Sequence, residues 1–178
     1  MIAIIIAFWA LIILFAVMGS IRGWAKELLV IFSVILALAL IAILETLIPV
    51  VSDTLAANQN LDFWVRTGIL LLMAFFGYQS PKISLLARAA ERRDQIQDTL
   101  LGLILGAVSG YMVVGSLWYF INEVGYFPPA ILAPTNATPL GQSALRMLQW
   151  LPPAFLWNGP IIYIAVVLAF IFVIVVFI

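Results

Sequence analysis

Any covalent or acid–base chemistry in this chain would have to rest on serine, lysine and carboxylate side chains, because it contains no Cys and no His. That excludes thiol nucleophiles, imidazole bases, disulfides and the metal sites built on those residues. Two arrangements come nearest to a reactive pair. Ser20 and Lys26 share the stretch "GSIRGWAKELL", where an amine could activate a hydroxyl, but no third group orients them. Asp94 and Asp98 could act as an acid–base pair only if buried in a pocket, and they belong to the charged run "ERRDQIQD". The sequence therefore offers no catalytic residue, no cofactor-binding residue and no metal ligand, and it points away from an enzyme.

The elements that would position these groups are strongly apolar. Hydrophobic residues make up 66% of the chain and charged ones only 9%, far from the composition of a water-soluble domain. A net charge of zero gives no pull toward nucleic acid. The apolar residues fall into blocks long enough to cross a hydrocarbon core of about 30 Å. They predict an all-α, polytopic transmembrane protein, one membrane domain over residues 1–178, with spans at 2–19, 28–51, 63–80, 99–121 and 160–178. Pro49 closes the second span, and the third is short enough to need residues beside Arg66 or beyond Pro81.

Basic residues set orientation, since they resist translocation. Arg22, Lys26, Lys82, Arg88, Arg92 and Arg93 fall in one set of connections, and only Arg66 and Arg146 in the other. The first set is expected in the cytoplasm, with the N-terminus outside and the C-terminus inside. Residues 82–98 then read as a cytoplasmic surface helix and "SDTLAANQNLD" as a short external link. The external segment 122–159 carries Leu140, Ala144, Leu145, Leu148 and Leu151 at helical spacing, with Trp150, Phe155 and Trp157 as interfacial anchors.

Two stretches are more ordered in their spacing than topology alone requires. The corner after the first span holds Gly19, Arg22, Gly23, Lys26 and Glu27, and the fourth span holds Asp98, Gly102, Gly106 and Gly110. Glycines four apart remove side chains from one helix face, which permits close backbone approach between helices in lipid. The stripe, continued by Gly115, serves either packing within the chain or a seam between chains. Near the outer ends of spans two and three, Glu45 and Arg66 read as snorkelling charges or as a pair.

The corner, Gly-x-x-Arg-Gly-x-x-Lys-Glu, and the span-four block, Asp-x-x-x-Gly-x-x-x-Gly-x-x-x-Gly, resemble in order and spacing those of the colicin V production protein (CvpA) family. A looser likeness covers "TPLGQSALRMLQWL", so the resemblance spans roughly residues 1–150. Ser109 stands where many relatives carry Arg, and residues 160–178 have no counterpart in four-span members. The resemblance implies a bacterial inner-membrane protein, without cofactor, linked to toxin production or export and to envelope maintenance. Its expected partners are membrane lipid and, through span four, a second copy or another membrane protein. A small transporter or channel subunit is the alternative reading, and a membrane-embedded hydrolase is a third.

Overall fold

The computed structural model describes residues 4–79, 95–126 and 133–177, and all regular structure among them is helical. Helix α1 (Ile4–Arg22) and helix α2 (Trp24–Leu47) are separated by one residue, Gly23. Its φ of +88° is costly for any residue with a Cβ, and this is what lets the chain reverse within a single position. Helix α2 therefore starts at Trp24, four residues before the expected Leu28. It stops at Leu47 because Ile48 is extended ahead of Pro49, whose ring is poorly accommodated in a helix interior.

Pro49 both ends the second span and opens helix α3 (Pro49–Ala57), with proline in the first turn, where its missing N–H costs nothing. Asn58 then breaks the helix and caps the next, α4 (Gln59–Tyr78), its side chain accepting from the Leu61 N–H at 3.2 Å. The expected external link is thus largely helical. The third span lengthens toward Gln59, so it needs nothing beyond Pro81.

Helix α5 (Gln95–Glu123) is the longest, at 29 residues or about 43 Å. The last residues of the expected surface helix, 95–98, form its first turn rather than a separate element, while residues 82–94 lie outside the described part of the chain. Beyond α5 come helices α6 (Pro139–Leu148), α7 (Pro152–Leu156) and α8 (Ile161–Phe177). Among the described residues four helices, α1, α2, α4 and α5, are long and apolar enough to cross a membrane. The expected fifth span at 160–178 is a 17-residue helix, and it counts as a fifth crossing when taken with α6–α7, against which it is bent by 69°.

Segment α6–α7, whose amphipathic spacing suggested a surface helix, packs one side against α5. The Tyr111 hydroxyl donates to the Trp150 carbonyl, and a Cβ on Gly115 would meet Pro152 at 2.7 Å. Tyr111 and Gly115 stand about 20 and 25 Å along α5 from Asp98, inside the thickness of a hydrocarbon core. Leu151, Pro152, Pro153 and Leu156 are buried there, which shelters the irregular backbone from lipid. Trp157 is also tied into the bundle: its Nε1–H donates to the Leu38 carbonyl at 3.1 Å and its ring stacks on Phe120 at 5.9 Å.

The core lies where α2, α4 and α5 meet, around Val34, Leu38, Leu70 and Phe120, all fully buried. A second cluster joins α1 to α5 and the α6–α7 turn through Phe8, Trp118 and Leu151. Ile13, Leu72, Phe76 and Val175 face outward, as lipid-facing residues must.

Candidate functional site

The corner block and the span-four block, more than 70 residues apart in the chain, form one surface against each other. Helix α1 runs along the glycine face of α5. A Cβ on Gly106 would fall 2.5 Å from the Phe15 carbonyl oxygen and 2.9 Å from the Gly19 Cα, and one on Gly110 would fall 2.5 Å from the Phe15 Cβ. Gly19 and Gly102 meet backbone to backbone in the same way. The seam is therefore within the chain and its glycine face is already covered by α1, so it is not open to a second copy. Gly115 belongs to another face, the one that receives Pro152.

At the turn itself Asp98 does what no residue of α2 can do. Its Oδ1 accepts from the Trp24 N–H at 3.3 Å, so a carboxylate from α5 caps the N-terminus of α2, where the helix dipole favours negative charge. A Cβ on Gly23 would touch that carboxylate at 3.0 Å. Gly23 is thus required twice, by its φ and by its neighbour.

One turn into α2, Glu27 is 1% exposed. A carboxylate at such a site must be hydrogen-bonded and paired or its burial is very costly. The Ser109 hydroxyl donates to Glu27 Oε2 at 2.6 Å, with the Gly106 carbonyl as a second acceptor at 3.0 Å. Arg22 lies 3.5 Å from Oε1 and donates at 3.1 Å to the Tyr78 carbonyl at the C-terminus of α4. Its guanidinium also sits over the Tyr78 ring, 4.1 Å from the centroid. The network ties α1, α2, α4 and α5 together at one end of the bundle. Of the corner residues only Lys26 stands apart, exposed and without an ion pair among the described residues.

Ser109 and Tyr78 are the members that sequence reasoning missed as site residues. Ser109 entered it only as a departure from a pattern, and Tyr78 carries no local signal. Reactive pairings find no support in the geometry. The Ser20 hydroxyl is turned to the Val17 carbonyl at 2.7 Å, Asp98 is occupied as a cap, and Asp94 lies outside the described residues. No group of three or more potential metal ligands occurs among the described residues.

At the far end, Arg66 Nε donates to Glu45 Oε1 at 2.8 Å and has Asp62, one turn earlier on α4, at the same distance. The guanidinium lies 5.5 Å from the centroid of the Trp157 ring. Glu45 and Arg66 thus form a pair that joins α2 to α4, with Asp62 and Trp157 as additional neighbours.

Fold and site together define a polytopic helical membrane protein, fastened at each end by charged groups and along one side by glycines. The chain matches no family model, no curated protein and no solved structure.

Proposed function

We propose that this chain is a non-enzymatic scaffold of the bacterial inner membrane, of the colicin V production kind, that serves toxin production or export and envelope maintenance. The observation that supports this reading is the meeting of the two blocks that carry the resemblance. Gly19 and Gly23 contact the α5 block, at Gly102 and Gly106 and at Asp98. Such a unit holds helices in fixed positions and leaves the outer faces of α4 and α8 to lipid or to other membrane proteins.

Arg22→Lys tests it in cells that depend on this chain for toxin export or envelope integrity. The variant keeps the topological charge but loses the planar fork that spans Glu27, the Tyr78 carbonyl and the Tyr78 ring. It should insert at normal levels and fail to restore export. Full restoration would reduce the corner to a topology signal and remove the support for the reading.

A transporter or channel subunit is the second reading, favoured by the bent pair α6–α7/α8, since discontinuous helices line many transport sites. The seam between the two charged ends is filled by Val34, Leu38, Leu70 and Phe120, which argues against a standing path. Ion flux above background in proteoliposomes would favour this second reading.

A further inference from the structure

The recess on the polar side of α6 is used by neither reading. It measures about 380 Å³ and is lined by Asn136, Gln142, Leu145, Arg146 and Gln149. None of the five is acidic, and Arg146 makes no ion pair among the described residues. Gln142 uses one amide N–H on the Asn136 carbonyl at 3.0 Å, which holds its side chain beside the recess and leaves a second N–H free to donate. Gln149 lies three residues past Arg146 and presents another amide to the same recess.

The neighbouring Trp150 narrows the class of ligand. Trp150 is 70% exposed, and its carbonyl is held by Tyr111 inside the span of α5. Arg146 precedes it by one helical turn, about 6 Å. An exposed indole, a side chain suited to the headgroup level, thus lies about one turn from the arginine. An unpaired guanidinium flanked by amide donors is suited to a tetrahedral oxyanion, which it can grip with two parallel N–H donors. The volume of the recess is in the range of small-ligand sites.

We propose that this recess binds a phosphate group, carried either by a phospholipid of the leaflet at the far end of the bundle or by free phosphate. Arg146 supplies the charge and the two-pronged contact, Gln142 and Gln149 donate to the remaining oxygens, and Trp150 rests against the glycerol and upper chains when the phosphate belongs to a lipid.

The full chain, purified in detergent and stripped of lipid, is titrated with phosphatidylglycerol and with a diacylglycerol of the same chains, and adducts are counted by native mass spectrometry. Phosphatidylglycerol should bind more tightly than the diacylglycerol. Arg146→Gln should lower its affinity by about tenfold, the scale of one lost charge-assisted contact, at unchanged melting temperature. Arg146→Lys should fall between the two. Inorganic phosphate that displaces the lipid at millimolar concentration assigns the site to free phosphate, and failure to displace assigns it to the headgroup. Equal affinity for the two lipids, or undiminished phosphatidylglycerol binding by Arg146→Gln, would overturn the proposal. If Arg146→Gln melts early, Gln142→Ala combined with Gln149→Ala takes its place, and unchanged affinity in that variant is equally decisive.

Discussion

At the scale of single residues, the buried Glu27 carboxylate dominates, because each of its partners comes from a different helix. Removing the Ser109 hydroxyl leaves a charged oxygen without its shortest hydrogen bond, 2.6 Å in the native chain. Ser109→Ala should cost about 1–2 kcal/mol, between the modest bonds typical of membrane interiors and the stronger ones made to charge. Glu27→Gln keeps the shape and gives up the attraction to Arg22. Because both changes act on one contact, the double variant should cost less than the sum of the singles, a coupling readable from melting curves in detergent. Strict additivity would separate Ser109 from Glu27. The sequence makes the corner charges legible because Arg, Lys and Glu are rare here and sit beside glycines. It leaves Ser109 mute, since a serine 82 positions away acquires its meaning only once α2 and α5 are paired.

At the scale of elements, the glycines separate into those that a neighbour requires and those that none does. A Cβ on Gly106 meets backbone atoms of α1, which cannot swing aside as a side chain can, whereas one on Gly68 has no atom of another element within 4 Å. Gly106→Ala should therefore destabilise by about 1–3 kcal/mol through forced separation of α1 from α5. Gly68→Ala should be neutral or stabilise by up to about 1 kcal/mol, through helix propensity alone. Melting of both variants in one detergent checks the contrast, and equal shifts would discard the seam. Native mass spectrometry adds that Gly106→Ala should leave the oligomeric state unchanged, since α1 already covers the stripe. Spacing of four made this face readable in advance. The same kind of reasoning did not reveal what α3 and α6–α7 pack against. An amphipathic pattern says that one face is apolar, not whether lipid or protein covers it, and Pro49 marks a break without saying whether a span ends or a new helix begins there.

At the scale of the whole molecule, two polar clusters stand at opposite ends of the seam between α2, α4 and α5: Arg22 with Glu27, Tyr78 and Ser109 at one, Glu45 with Asp62 and Arg66 at the other. Between them lies an apolar layer about one membrane core thick, for Glu27 and Glu45 are 18 residues apart on α2, or about 27 Å. This spacing matches one core thickness, so a membrane centred between the two glutamates would meet a cluster at each interface. The four long crossings were legible from apolar blocks, yet the sidedness rests on Lys and Arg counts, and half of those residues fall in 82–93, outside the described helices. Introduced cysteines resolve it, in a chain with no native Cys to interfere. Asn60→Cys, exposed near the Arg66 end, and Asn136→Cys, exposed in the segment read as external, should react with an impermeant maleimide in intact cells. Gln97→Cys, exposed in the first turn of α5, should react only after the membrane is opened. Asn60 is a better probe position than the neighbouring Asn58, whose side chain caps α4 and whose loss would weaken the helix being located. The opposite pattern at all three positions would invert the protein in the membrane, moving the Arg146 recess to the cytoplasmic leaflet and the glycine corner to the outside. Labelling at Gln97 together with Asn60 in intact cells would contradict a crossing by α4 and α5 in the arrangement described, because those two positions stand at opposite ends of the bundle.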